Sequence, residues 1–137
     1  MHTRRTHGFT LIELLLVVAI VGVLAAIAIP KFSSTRQRGS RAAGVADMSN
    51  LIIQQERFYS ETGRYGTIAD SAALRLRISP RNTGLVITLA GAPAGTAGFS
   101  ATVGIPGNQT CGVFVGTAPT PAGMPSSTTV SRPVCWP

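Results

Sequence analysis

Few residues of this chain have side chains suited to catalysis or to metal binding. The histidines, His2 and His7, both precede residue 8, so the rest of the chain holds no imidazole base and lacks a common metal ligand. Two cysteines without histidine cannot complete a tetrahedral metal site. The acids after residue 13 are Asp47, Glu56, Glu61 and Asp70. Because residues 71–137 contain no acid at all, we predict no catalytic residue, no metal site, no cofactor and no enzyme activity.

Glu13 is the one acid in an unusual setting. It lies within residues 9–29, where only Thr10 and Glu13 are clearly polar, and about 20 apolar residues suffice for a helix to span a membrane. A carboxylate deep in such a helix costs roughly 2.5 to 3.5 kcal/mol on insertion scales, so it needs a partner. Arg4 and Arg5 precede the run, and the positive-inside bias places that end in the cytoplasm. The bulk of the chain then lies on the other side.

No Lys or Arg lies between Arg5 and Lys31, so the sequence offers no cationic side chain at the depth of Glu13 in the membrane. A cut after Gly8 would give Phe9 a new α-amine, whose unperturbed pKa of about 7.7 to 8.0 leaves it largely cationic at neutral pH. This amine, on the same chain or on a neighbour, would supply the missing charge. The first turns of a helix also favour an anion, because their amides carry partial positive charge.

A short basic leader ends in Gly8, the sequence FTLIE follows at residues 9–13, and a long apolar run closes at Pro30. This arrangement resembles the class III signal of type IV pilins and of the pseudopilins similar to them. The resemblance implies that a membrane-embedded prepilin peptidase cuts after Gly8 and N-methylates Phe9, which keeps the amine cationic. It also implies that Glu13 pairs with the N-terminal amine of a neighbouring subunit. We therefore expect a prepilin of the inner membrane, which the inner-membrane assembly machinery builds into a homo-oligomeric helical pilus on the cell surface.

Two other interpretations of the apolar run stay open. The A-x-A pattern at residues 26–28 allows ordinary secretory cleavage before Ile29. Against this stand Glu13 and an apolar run longer than a secretory signal requires. The second alternative is an uncut signal anchor that holds a single exported domain. Both would leave the chain without the amine that the pairing of Glu13 requires.

We predict one long helix, with residues 9–30 as its transmembrane and assembly part and residues 31–59 as an amphipathic continuation. Gly22 and Pro30 weaken it, since glycine costs up to about 1 kcal/mol relative to alanine and proline about 3 kcal/mol. In filaments of the family the corresponding stretch is often unwound, so the resemblance implies a compliant segment bounded by these two residues. The predicted apolar stripe of the second half consists of Val45, Met48, Leu51, Ile52, Phe58 and Tyr59, joined by Gln55.

The segment after the helix has the pattern of a small sheet. Gly63 suits a left-handed cap at the helix end, and residues 60–83 form a predicted connecting loop with a short helix at residues 68–76. In residues 84–137 the apolar period shortens to that of strands. Predicted strands are 85–89, 99–105, 111–115 and, more weakly, 128–134. We therefore predict an α+β fold, in which a long N-terminal helix, transmembrane in its first half, packs on a small antiparallel sheet.

Cys111 and Cys135 are the only cysteines, and in this interpretation the part of the chain that holds them is exported. We predict a disulfide between them. The bond would tie the C-terminal end, with Trp136, back to a strand, and similar disulfide-bounded loops face outward in many type IV pilins. Residues 117–129 are rich in Pro, Thr, Ser and Gly, so we expect an exposed loop whose hydroxyls are candidates for O-glycans.

The charge of the chain suggests two alternatives to a major pilus subunit. The formal net charge of +7 falls to +5 when Arg4 and Arg5 leave with the leader. Such a balance attracts DNA non-specifically, which permits a DNA-binding minor pilin, although a solvated basic face is the simpler interpretation. The other alternative is a type II secretion pseudopilin; major pseudopilins typically hold calcium through C-terminal acids, which residues 71–137 lack. Motility, adhesion and DNA uptake all stay open as roles of a pilus.

Overall fold

A computed structural model of the chain describes residues 8–126 and 130–137. It contains a long helix, α1 (Leu11–Thr62), and a 3₁₀ helix (Ile68–Asp70). The strands are β1 (Thr83–Ala90), β2 (Gly98–Ile105), β3 (Gln109–Gly116) and β4 (Val134–Trp136). They form one antiparallel sheet in the order β1-β2-β3-β4. The predicted α+β class, a long helix packed on a small antiparallel sheet, is confirmed. Apart from Gly8, the predicted leader lies outside the described residues.

The chain divides into two units, Met1–Arg36 and Gln37–Pro137, and α1 contributes to both. In the first unit the apolar side chains of α1 are exposed, and the helix is long and apolar enough to cross a membrane. The helix is continuous through Gly22 and Pro30. The unwound segment implied for the assembled filament therefore stays a prediction.

In the second unit α1 buries one face against the sheet. The buried positions of the helix are Gly44, Asp47, Met48, Leu51, Gln55 and Phe58. Their spacing of three or four residues follows the 3.6-residue turn of the helix. The predicted stripe is wrong at Val45 and Tyr59, which are each 36% exposed. The buried face is centred beside them because Gly44, which has no Cβ, lets the helix approach Ile105 and Cys111 closely.

The core lies between α1 and the inner face of the sheet. Alternate residues of the two central strands supply it, as the period-2 pattern predicts. They are Phe99, Ala101, Val103 and Ile105 from β2, and Cys111, Val113 and Val115 from β3. Met48 and Leu51 pack on them from the helix, and both are at most 1% exposed. Leu85, Ile87 and Leu89 of β1 extend the core at its margin.

Part of the outer face of the sheet is also covered, next to the loop predicted at residues 117–129, whose described residues are mostly exposed as expected. Ser131 donates its backbone N–H to the carbonyl of Phe114 (2.8 Å), and the Trp136 ring packs over Gly112 and Gly123. Phe114 and Trp136 are therefore buried although they point away from the helix. Many residues of the segment are still exposed, and residues 127–129, with part of the O-glycan prediction, lie outside the described residues.

Two other predictions are corrected near the ends of elements. The weak strand predicted at residues 128–134 is wrong at residues 130–133: residues 130 and 131 form a turn, and residues 132 and 133 have no regular structure. Strand β4 begins at Val134, and the pairing of Cys135 with Cys111 sets its register. The helix predicted at residues 68–76 is only the 3₁₀ helix, since Arg75 adopts a left-handed φ of 51° and closes the turn. The cap at Gly63 is confirmed by its φ of 74° and its N–H bond to the Tyr59 carbonyl (2.8 Å).

Candidate functional site

Thr10 and Glu13 build the N-terminus of α1. The Thr10 hydroxyl accepts a hydrogen bond from the backbone N–H of Glu13 (3.2 Å). In return, Glu13 Oε2 accepts one from the Thr10 backbone N–H (3.1 Å) and one from the Thr10 hydroxyl (3.0 Å). This reciprocal pattern is a capping box, which satisfies helix amides that have no partner inside the helix.

The electrostatic partner of Glu13 within this structure is the helix itself. The free amides of the first turn carry partial positive charge, and the carboxylate lies beside them. Across residues 8–126 and 130–137, the two ion pairs are Arg57–Glu61 and Arg64–Asp70, so neither involves Glu13. Glu13 and the apolar side chains after it are exposed. Its carboxylate is therefore accessible to a cation on another molecule.

Gly8 and Phe9 precede α1 in non-helical backbone, and both are exposed. A Cβ placed on Gly8 would meet no atom within 4 Å, and the Phe9 side chain is 82% exposed. Within the described part of the chain, the peptide bond between Gly8 and Phe9 is therefore accessible to a protease. A cut there would create an amine directly before Thr10, the residue that already holds Glu13. Cleavage and methylation themselves stay predictions.

Gly22 and Pro30, the other two residues predicted to act in assembly, lie further along α1. At 1.5 Å per residue they are about 13 Å and about 25 Å from Glu13 along the helix axis. Both are exposed, and a Cβ on Gly22 would meet nothing within 4 Å. The structure of one chain therefore does not bring them to Glu13, and a site that combines these residues requires a second copy.

The predicted disulfide between Cys111 and Cys135 is present. The two residues are paired across β3 and β4, and Cys111 is fully buried beneath α1 at Gly44. The bond fastens the three-residue strand β4 to the sheet. Within the described part of the chain, no group of His, Cys, Asp and Glu side chains is suited to hold a metal ion.

The sequence predictions do not include the roles of Thr10 and Asp47 in this structure. For Thr10 a local signal exists, because a threonine three residues before a glutamate at the start of an apolar run is the signature of a capping box. Asp47 is buried and accepts hydrogen bonds from the Ser79 N–H and hydroxyl (both 2.9 Å) and from the Asn82 amide (2.6 Å). These partners lie 32 and 35 positions further along, so no local pattern identifies them.

The chain is similar to known protein families, first of all at its N-terminus. Residues 3–29 match the family model of the prokaryotic N-terminal methylation motif. The type IV wide pilus major component PilA4 of Thermus thermophilus is 33% identical over 109 residues, which cover 72% of this chain and 83% of that protein. This match reaches well beyond the helix.

Two further relatives match over about half of this chain. The type IV major pilin protein PilA of Myxococcus xanthus is 46% identical over 66 residues, which are 48% of this chain but only 30% of that protein. The type II secretion system core protein G of Dickeya chrysanthemi is 33% identical over 64 residues, or 47% of this chain and 42% of that protein. The residues that the family model matches, 3–29, include Gly8, Phe9 and Glu13.

Proposed function

The chain belongs to the type IV pilin family, and on that premise we propose that it is a structural subunit of a type IV pilus. A prepilin peptidase cuts it between Gly8 and Phe9 and methylates the new terminus. The subunit then polymerises through α1. The capping box that presents Glu13 at the start of an exposed apolar helix is the observation that carries this proposal.

The charge of Glu13 gives assembly its register. After cleavage the amine of Phe9 is the nearest cation to the apolar segment, and methylation leaves its charge in place. The Thr10 hydroxyl and N–H hold one carboxylate oxygen, Oε2, in a fixed direction. The other oxygen is free to accept a charge-assisted hydrogen bond from the amine of a neighbour, which is stronger than a neutral one.

The apolar surface of α1 supplies the affinity. Side chains such as Leu11, Val23 and Ile27 are between 65% and 75% exposed. The bilayer covers them before assembly, and the helices of other subunits cover them in the filament. Each copy then contacts its neighbours through different surfaces, and heterologous contacts that do not close generate an open helix. We accordingly assign the chain to the inner membrane first and to the cell-surface pilus afterwards.

The decisive experiment is the intact mass and N-terminal sequence of protein from sheared filaments. We expect a methylated Phe9 as the first residue. Glu13→Ala should enter the membrane and be processed but yield few or no filaments, because the amine then has no carboxylate partner. A start at Ile29 or Met1, or normal filaments from Glu13→Ala, would contradict the proposal.

A matched variant separates processing from assembly. Gly8→Ser adds a side chain at the predicted cleavage position while leaving Thr10 and Glu13 intact. We expect it to stay uncut in the membrane fraction, where gel mobility distinguishes the precursor from the mature chain. Unchanged processing of this variant would refute the assignment of Gly8 to the cleavage site.

The match to type II secretion core protein G makes a pseudopilin the second candidate. A pseudopilin would form short assemblies within the envelope rather than long surface filaments, so electron microscopy of labelled cells separates the two. The lack of any acid in residues 71–137 favours the pilus subunit. A DNA-binding minor pilin is the third candidate, for which salt-sensitive binding of duplex DNA is the test.

A further inference from the structure

A cleft of about 180 Å³ lies in the second unit, between α1 and the segment that follows the 3₁₀ helix. Besides Asp47, four polar residues line it: Asn50, Gln54, Arg75 and Arg77. Its apolar lining consists of Leu51, Leu76 and Ile78. Most small-molecule pockets have about 300 to 1,000 Å³. The cleft therefore admits one small unit, or one unit of a longer chain.

The polar side chains of this cleft are available to a ligand. Within the described ranges 8–126 and 130–137, none of the four forms a hydrogen bond or ion pair with another protein group. Asp47, which also borders the cleft, differs: it is buried, and its carboxylate is held by Ser79 and Asn82. Two guanidinium groups against this one engaged carboxylate leave the lining with a net positive charge.

Arg75 occupies a backbone position that usually belongs to glycine. Its φ of 51° is left-handed. The Leu76 N–H donates to the Ser71 carbonyl (3.1 Å), and the Arg75 N–H donates to the Ala72 carbonyl (3.2 Å). This is the hydrogen-bond pattern of a Schellman motif, whose left-handed residue is most often Gly. The backbone of this turn favours glycine, and the residue that stands there is instead an arginine that lines the cleft.

We propose that the cleft binds a carboxylated sugar unit of an acidic polysaccharide. Arg75 and Arg77 suit the carboxylate, because a guanidinium donates two parallel hydrogen bonds to it. The amides of Asn50 and Gln54 each offer donors and an acceptor, which suit the hydroxyls of a sugar ring. The apolar lining suits the C–H face of the same ring.

Nucleic acid fits the cleft less well. Single strands bind on aromatic side chains that stack with the bases, and no aromatic residue lines the cleft. Duplex DNA presents a row of phosphates, which requires basic groups spread along a surface. Here two arginines and two amide-bearing residues line a single recess. This convergence favours one anionic unit over an extended backbone.

The test is a calorimetric titration of the full chain, in non-ionic detergent at low salt, with trigalacturonate, a linear trimer of galacturonic acid. We expect binding of this trimer and none of the neutral trimer maltotriose. Arg75→Gly and Arg77→Gln should each weaken binding at least about tenfold. Arg81→Gln removes the same charge from an exposed position outside the cleft and should change the affinity less than about twofold.

Arg75→Gly also separates binding from folding, because glycine adopts the left-handed conformation without strain. Its melting temperature should equal or exceed that of the unaltered chain. The proposal is overturned by absence of binding at low salt, by an equal loss in Arg81→Gln, or by tighter binding of a DNA duplex or inorganic phosphate that depends on the same arginines. Because the titration needs no filament, its failure would leave the proposed function untouched.

Discussion

Gln55 and Gly66 exchange two buried hydrogen bonds. Gln55 Nε2 donates to the Gly66 carbonyl (2.8 Å), and the Gly66 N–H donates to Gln55 Oε1 (2.8 Å). The side chain of Gln55 is fully buried. One amide thus replaces both hydrogen bonds that the backbone would make in a helix or a sheet. It fixes the chain against α1 just after the turn at Gly63.

Gln55→Leu should destabilise the protein by about 2 to 6 kcal/mol. The substitution leaves a buried N–H and a buried carbonyl of Gly66 without partners, and each such loss costs about 1 to 3 kcal/mol. Urea denaturation followed by circular dichroism measures the change. Gln54→Leu is the matched control, because Gln54 is half-buried without a hydrogen bond in the described structure, and we expect a change within about 0.5 kcal/mol. Equal effects of the two substitutions would contradict the role of the exchanged bonds.

Gly44→Ala should destabilise the second unit although alanine favours helices. The new Cβ would overlap Cys111 Sγ and lie 2.8 Å from Ile105 Cγ2. Such overpacking costs about 1 to 3 kcal/mol, which outweighs the gain in helix propensity of about 1 kcal/mol.

Gly39→Ala provides the control for this substitution, since it lies in the same helix and its new Cβ would meet nothing within 4 Å. It should therefore raise stability by up to about 1 kcal/mol. Thermal melts of both variants in the same detergent give the comparison. A stabilised Gly44→Ala would show that the helix and sheet separate at little cost.

Removal of the disulfide should cost about 3 kcal/mol, because its closed loop has a sequence separation of 24. We expect Cys111→Ala with Cys135→Ala to lower the urea midpoint and to speed amide exchange in β4, which has only three residues. Exchange in β1 and β2 should change much less at mild denaturant. Uniform acceleration across the sheet would mean that the bond stabilises the whole unit instead of its C-terminal edge.

The pair of Arg64 and Asp70 predicts a pH dependence. Hydrogen bonds from Arg64, followed by one from the Thr67 N–H, lower the pKa of Asp70 to about 2. A carboxylate with a depressed pKa in the folded state stabilises it above the unfolded pKa of about 3.9, and this contribution is lost as pH falls toward about 2. Asp70→Asn should therefore be less stable at pH 7, and the difference should shrink as pH falls and be mostly lost at about pH 2. A difference of undiminished size at pH 2 would assign the effect to the shape of the side chain instead of its charge.

If the chain is a pilus subunit, as proposed, Thr10→Val should impair filament formation. Valine keeps the branched shape but loses the hydroxyl that bonds both Glu13 Oε2 and the Glu13 N–H. We expect faster amide exchange at Glu13 and fewer sheared filaments, with processing after Gly8 unchanged. Thr10→Ser retains the hydroxyl and should assemble normally. Loss of filaments in both variants would point to packing of the side chain and not to the capping box.

Local patterns in the sequence predicted most of the elements. The apolar run and its single acid indicated the exposed half of α1 and the candidate site at Glu13, and alternation indicated the three long strands of the sheet. The end of the helix at Gly63 followed from the conformational freedom of one residue. These features depend on residues within a few positions of one another, so the local sequence is enough to identify them.

The tertiary structure alone decided where the buried face of α1 is centred and what lies on each side of the sheet. The approach of Gly44 to Cys111 shifts the buried face away from Val45, although valine is the more apolar residue. Asp47 can be buried because Ser79 and Asn82, in a distant segment of the chain, donate hydrogen bonds to its carboxylate. Such contacts join residues dozens of positions apart, and their energies depend on a distance and an orientation that no local pattern encodes. The sequence by itself thus determined the helix, the strands and the candidate assembly residues, and packing determined the register in which they meet.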